Sequence, residues 1–269
     1  MVLVTDRALL LKRFPYGESS LVAHLCTREH GRAHLIAKGA YRPGSRYFAV
    51  LDHLDTLEIV WAPSRTRDLS NLHAGSIPRR RRRISADPRR YFAAMSMLEL
   101  ADLASRPEQS DPDLFDLLEG ALDGLEEGRA PADLELVAFE LRFLQNLGLG
   151  PALHTCAACA GPADPVGHDG SRVAFSAGAG GRLCRACADE ARASGRRVGT
   201  LPLEVLEAAR ALLEGGTAAG AAFSQERVDR VRDFAGRFLD YHLETRPRTH
   251  RSFLSAPNRN APSAAAEAV

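Results

Sequence analysis

Two cysteine pairs constrain this chain more than any other feature. Cys156-Ala157-Ala158-Cys159 is followed, after 24 residues, by Cys184-Arg185-Ala186-Cys187. Each C-x-x-C pair can turn two thiolates toward one tetrahedral ion, so both pairs together complete the shell of a single Zn²⁺. Four thiolates leave no position for water or substrate, which makes such an ion structural rather than catalytic. The competing reading is two redox or disulfide pairs, which a cytoplasmic chain disfavours. His154, two residues before the first pair, is a spare ligand that a four-cysteine shell does not need. No run approaches the roughly 20 apolar residues of a membrane helix, and the amino terminus lacks the long apolar stretch of a signal peptide. The chain is therefore expected in the cytoplasm, with no membrane partner.

The lobe around these cysteines interrupts two other kinds of sequence. Before residue 80, short apolar runs punctuated by glycine and proline predict strands at Ala8–Lys12, Ser20–Thr27, Ala33–Ala37, Leu57–Trp61 and Leu69–Ala74. Five strands in so short a stretch fit an OB-fold β-barrel, although other small β folds fit the count. From Asp87 the period becomes helical. Asp87-Pro88 and Asp111-Pro112 each place a capping carboxylate before a proline at the first helical position. Tyr91, Met95, Leu98 and Asp102, with Phe92 and Glu99, make a partly regular stripe in the first helix. Leu114, Leu117, Leu118, Ala121, Leu122 and Leu125 make a clear one in the second. The helix begun at Ala130-Pro131 is apolar on two sides (Leu134, Val137, Leu141, Leu144 and Leu136, Phe139, Phe143), so it should lie at the centre of a helical domain and end at Gly148 or Gly150. Pro202 opens a further helix through Leu213. Ser224 caps another, with Val228, Val231, Phe234, Phe238 and Tyr241 toward the core.

The expected class is thus α+β: an OB-fold over 1–80, a helical domain in two parts (81–150 and 191–245), a zinc lobe inserted at 151–190, and a tail over 246–269 with no core-forming pattern from 255. Charge divides along the same line. Residues 1–83 hold 15 Lys and Arg against 7 Asp and Glu, whereas 84–150 hold 5 against 14. A basic module beside an acidic one suggests a polyanionic partner for the first alone. The acidic residues of 108–127 alternate with the leucine stripe and read as a solvated helix face.

One loop carries a sharper signal. In Ala37-Lys38-Gly39-Ala40-Tyr41-Arg42-Pro43-Gly44-Ser45-Arg46-Tyr47-Phe48, three cations recur every four residues among aromatic rings, in a Gly/Pro loop leaving a strand. Cations neutralise phosphates and rings stack on bases, a combination suited to single-stranded nucleic acid. Lys38, Arg42, Arg46, Tyr41 and Tyr47 are the DNA-binding candidates. The Arg79–Arg83 run reads either as a phosphate grip or as a solvated linker.

Enzymatic alternatives find little footing. There is no phosphate-binding G-x-x-x-x-G-K-[ST], no G-x-S-x-G elbow and no H-E-x-x-H pair. The glycine-rich Ser176–Gly181 stretch reads as a turn, and His24, Cys26 and His34 as ordinary strand residues. A zinc-ribbon nuclease would need an open metal site or a two-metal carboxylate centre. A sequence-specific regulator would read DNA through Gln225, Arg227, Arg230, Arg232 and Arg237, but Glu226, Asp229 and Asp233 pair with those arginines along the same helix.

The order of parts is informative in itself. A basic β module with Lys38-Gly39-x-x-Arg42 and Ser45-Arg46 leads into helices. Phe139-Glu140-Leu141-Arg142-Phe143-Leu144-Gln145-Asn146-Leu147-Gly148-Leu149-Gly150-Pro151 then runs directly into the first cysteine pair, and Arg246-Pro247-Arg248-Thr249-His250-Arg251-Ser252-Phe253-Leu254 closes the pattern. Over residues 1–254 this resembles the RecO family of bacterial recombination mediators. The resemblance implies a non-enzymatic, nucleoid-associated protein that binds single- and double-stranded DNA and anneals complementary strands, including strands coated by single-strand-binding protein. It further implies that the protein acts with RecR to load RecA in gap repair, and that its helical region contacts the acidic tail of single-strand-binding protein. Carried onto this sequence, the Lys38, Arg42 and Arg46 loop becomes the DNA-binding element, and the four cysteines the zinc ligands.

Overall fold

A computed structural model describes residues 3–45, 47, 50–63, 69–165 and 171–243. Strands β1 (Val4–Tyr16), β2 (Ser20–Thr27), β3 (Gly31–Ala37), β4 (Thr56–Ala62) and β5 (Ser70–Arg79) close into a barrel in the order β1-β2-β3-β5-β4. All pairings are antiparallel except β3 with β5. This is the five-stranded OB-fold arrangement that the strand count predicted. Period-two alternation turns Leu21, Ala23 and Leu25 of β2 inward, where they meet Leu10, Leu35, Leu57, Ile59 and Trp61. Alternation with Ala8 and Leu10 turns Leu9 and Leu11 outward into the core of the helical half, together with Cys26, and a register shift between Leu10 and Lys12 then brings Lys12 to that outer face as well.

Helices α1 (Arg83–Ala86), α2 (Pro88–Ala104), α3 (Pro112–Glu127) and α4 (Ala132–Asn146) follow the barrel. Both predicted caps are in place. The Asp87 carboxylate accepts from the N–H groups of Arg89 and Arg90, and that of Asp111 accepts from Leu114. As expected, α4 is central: Ala132 through Leu141 are all buried, as are Phe143 and Leu144. The α2 stripe differs from expectation. Its buried face is Ala93, Ala94, Met97, Leu98, Leu100 and Ala101, while Tyr91 and Phe92 stand in solvent. Small alanines pack closely against α4, whereas ring hydropathy had drawn the stripe to the other side.

The cysteine lobe contains β6 (Arg172–Ser176), β7 (Gly181–Leu183), α5 (Arg185–Ala193) and β8 (Gly199–Pro202), with sheet order β7-β6-β8. The Ser176–Gly181 stretch is the hairpin between β6 and β7. Helices α6 (Leu203–Ala219) and α7 (Gln225–His242) complete the helical half. The former runs past Leu213 through a break at Gly216, where φ is 63°. In α7, Val228, Val231, Phe234 and Phe238 face the core as expected, but Tyr241 is exposed. The 255–269 stretch and the Arg246–Leu254 segment lie outside the described residues.

The two halves are joined by charge. Arg28 makes a two-pronged contact with Asp116 at 2.9 and 2.8 Å, Arg79 reaches Asp123 and Glu127 at 2.8 Å each, and Arg7 pairs with Glu119. Lys12 pairs with Asp102 of α2. Arg81, whose side chain is 0% exposed, donates to Asp123 at 2.7 Å and to the Leu54 carbonyl at 2.7 Å. The acidic face of α3 is therefore more than a solvated surface: it is paired with the barrel, although Asp116 and Glu127 keep contact with solvent. Its carboxylates recur every three or four residues at 116, 119, 123 and 127, so they share one helix face, and that face is the counterpart of the barrel arginines. Part of the charge asymmetry between the modules serves to dock them, through Arg7, Lys12, Arg28, Arg32, Arg79 and Arg81. Hydrogen bonding to Arg28 holds the Asp116 carboxyl below its ordinary range.

Candidate nucleic-acid interface and metal centre

After β3 the chain turns tightly. The N–H of Arg42 donates to the Gly39 carbonyl at 3.1 Å, and that of Ser45 to the Arg42 carbonyl at 3.0 Å. Gly39 takes φ 71°, and a Cβ there would sit 3.3 Å from Cδ of Arg42, so a glycine lets the Arg42 stem fold across the turn. Ala40 is buried and pins the turn to the barrel, leaving Lys38, Tyr41 and Arg42 exposed. The Tyr41 N–H donates to the Ser19 carbonyl at 2.9 Å, which joins this loop to the β1–β2 turn. Tyr47 is placed differently from its exposed companions. It is half-buried against the barrel core, and its hydroxyl donates to the His73 carbonyl at 3.0 Å, so it anchors the returning chain. Arg46 lies outside the described residues.

The same end of the barrel brings in residues that the loop motif did not reveal. Phe14 is 45% exposed, Tyr16 57% and Tyr41 42%. Tyr16 pairs with Ser20 at the β1–β2 turn. Phe14 meets His24 edge-on at 5.2 Å, and His24 stacks on His34 at 4.0 Å. A continuous ladder of rings thus crosses the outer face of β1, β2 and β3. The signal lies in Phe14 and Tyr16, past Lys12, where the predicted strand ends. Burial, then the stacked His34, lowers the pKa of His24, so its imidazole is held neutral near pH 7. Cys26 does not join these histidines in a ligand set. It is covered by the helical half, and burial pushes its thiol up to about 12.

The four other cysteines converge. Their sulfur atoms all lie within 4.8 Å of one another, with Cys159 and Cys184 at 3.9 Å. Tetrahedral Zn–S bonds of ~2.3 Å would set sulfurs about 3.8 Å apart, so the cluster has the size of a single-ion site. The first pair sits on a knuckle closed by the Ala160 N–H donating to the Cys156 carbonyl at 2.8 Å, with Ala160 at φ 58°. In the second, Cys184 precedes α5 and Cys187 lies in its first turn. Burial pushes the Cys156 thiol up, but backbone hydrogen bonds at Cys184, Cys159 and Ala158 outweigh it and bring the group to about 6. Hydrogen bonds to Cys184, Cys156 and Cys159 push Cys187 up to about 12. These four thiols can hold a metal ion with a closed donor set. His154 is exposed and outside the cluster.

The alternative uses of charge are occupied. On α7, Arg230 pairs with Glu204 and Glu226, Arg232 with Asp133 and Asp229, and Arg237 with Asp233. Arg227 lies over the Phe223 ring at 5.3 Å, and Gln225 bonds Asp133 and Asp229. Among the described residues, each arginine of that helix thus has a carboxylate or ring partner. Among the described residues, no helix is long and apolar enough to cross a membrane.

Comparison with known families agrees with this architecture. Residues 1–79 match the family described as Recombination protein O N terminal, and residues 85–252 match Recombination protein O C terminal. The barrel and the helical half with its cysteine lobe divide at the boundary between those two matches. The chain belongs to the recombination protein O (RecO) family of DNA recombination and repair mediators.

Proposed function

We propose that this protein binds single- and double-stranded DNA through the open end of its barrel, anneals complementary strands, and with RecR helps load RecA onto strands coated by single-strand-binding protein. The observation that carries this reading is the gathering of Lys38, Arg42, Tyr41, Tyr16 and Phe14 around two turns bonded to each other. Guanidinium and ammonium groups there screen phosphate, while the rings offer stacking surfaces to unpaired bases. Arg46 follows in the same loop and belongs to the proposed site, with Tyr47 as its anchor. Annealing needs phosphate repulsion lowered and base edges left free, and neither requirement calls for covalent chemistry. The four-cysteine cluster takes Zn²⁺ as a structural ion that ties the lobe's hairpin to α5. The helical half offers an apolar cleft of about 340 Å³, walled by Phe175, Leu201, Val205 and Phe234 and rimmed by Arg230 and Arg237. Those two arginines are paired with Glu204, Glu226 and Asp233, so an acidic tail of single-strand-binding protein seated there would exchange with these carboxylates. The protein would act on cytoplasmic, nucleoid-associated DNA.

The reading is tested by mixing complementary oligonucleotides, bare and coated with single-strand-binding protein, without nucleotide. Faster duplex formation in the presence of this protein is expected in both cases. A rate equal to the spontaneous one would remove annealing from the account.

A further inference from the structure

Two strands held on one particle meet at a high effective concentration, and the proposed barrel-end site accounts for one of them. We infer that a second single-strand site lies at the start of the helical half, formed by Arg82, Arg83, Tyr91 and Phe92. This inference rests on the single-strand reading of the barrel end.

The arginine run divides by direction. Arg79 and Arg81 turn inward onto the carboxylates of α3. At Arg82 and Arg83 the backbone is gripped instead. Glu126 accepts from the N–H groups of Arg82 at 3.2 Å, Arg83 at 2.8 Å and Ile84 at 3.2 Å. The nearest carboxylate is thereby engaged by main chain, and both side chains are exposed without a carboxylate partner among the described residues. Pinning the backbone removes the main-chain share of the ordering cost and leaves only that of the two side chains.

Two rings follow along the chain. The Asp87 N–H donates to the Ile84 carbonyl at 3.3 Å, and the Tyr91 N–H to the Asp87 carbonyl at 2.9 Å. Two successive turns therefore connect the arginines to Tyr91 and Phe92. These rings are 39% and 44% exposed and meet edge-on at 6.1 Å. The Asp87 carboxylate is held by the N–H groups of Arg89 and Arg90, and Arg90 lies 3.8 Å from it. Exposed rings two turns along the chain from guanidinium groups that have no carboxylate partner among the described residues form the same combination as at the barrel end, and the positive charge favours a phosphate-bearing strand over an apolar protein surface.

The test uses two non-complementary single strands, one carrying a fluorescent donor and the other an acceptor, on full-length protein. The variant is Arg82→Ala/Arg83→Ala/Tyr91→Ala/Phe92→Ala, whose four side chains are exposed; an unchanged melting temperature confirms its fold. Energy transfer between strands is expected with wild-type protein and is lost in the variant. Affinity for a first strand should stay within about twofold, while annealing slows by roughly tenfold or more, as loss of a stacked base implies. Transfer and annealing at wild-type levels in the variant would overturn the second site. The underlying reading fails separately: Lys38→Ala/Arg42→Ala would then leave first-strand binding unchanged.

Discussion

Arg81 is the residue on which the joint between barrel and helical half depends most. Replacing it with Met keeps the buried stem but removes Nε–H···Asp123 at 2.7 Å and Nη1–H contacts to the Leu54 carbonyl at 2.7 Å and Thr56 Oγ1 at 3.1 Å. Three charged hydrogen bonds at roughly 1.5–3 kcal/mol each set an upper bound. The variant is relieved of desolvating a guanidinium, which offsets several kcal/mol of that. Asp123 also keeps Arg79 at 2.8 Å, so no carboxylate is stranded. The expected loss is about 3 kcal/mol, or ~6–12 °C of melting temperature at this chain length. Arg28→Ala is the comparison. Its pair with Asp116 is exposed at 34% and 47%, so solvent screens it and its loss should be much the smaller of the two. Thermal melts at about 0.05 M and 1 M NaCl separate the two, because a Debye length of ~3 Å at the higher salt screens the surface pair and leaves the buried one. A loss below ~1 kcal/mol for Arg81→Met, or one that vanishes in salt, would refute the clamp.

Other outcomes follow from the same geometry. Cys156→Ser should abolish stoichiometric zinc measured by mass spectrometry and melt the small core of Ala163, Ala174, Leu183, Ala188 and Ala191 around it, because metal binding is folding energy for such a lobe; retained zinc would contradict the closed shell. Gly31→Ala should cost more than ~2 kcal/mol in denaturant unfolding, since φ there is 69° and a Cβ would lie 2.3 Å from the Gln109 carbonyl oxygen. His24 has a folded pKa below its ordinary 6.5, so the unfolded chain binds the proton more readily and stability falls as pH drops through that value. In melts between pH 7.5 and 5.5 by calorimetry, His24→Gln should flatten that decline, and an unchanged slope would place the titration elsewhere.

Much of this was legible in local pattern. Strand β2 was readable to its end residues because Leu21, Ala23 and Leu25 alternate cleanly. Both Asp-Pro helix starts were readable because a cap is a local event. The cysteine cluster was readable because metal geometry dictates spacing. What escaped depended on partners distant in sequence. The pairing of the acidic face of α3 escaped because its arginines lie 88 residues away in one pair and 44 in another. Strands β6 and β7 are short and buried on consecutive residues, so they show no alternation. Alanines 93, 94 and 101 carry the buried face of α2 with too little hydropathy to announce it. Phe14 and Tyr16 were hidden by ending β1 at Lys12, although the strand continues past its bulge to Tyr16.

The central claim is that the barrel end holds single strands through its cations. Fluorescence anisotropy of a labelled random single strand, titrated over a salt series with wild-type protein and with Lys38→Ala/Arg42→Ala, tests it most directly. Each lost phosphate contact should reduce the slope of log affinity against log salt by ~0.7 for a single strand, so the double variant should bind more weakly with a slope shallower by about 1.4. Identical slopes for the two proteins would contradict the account.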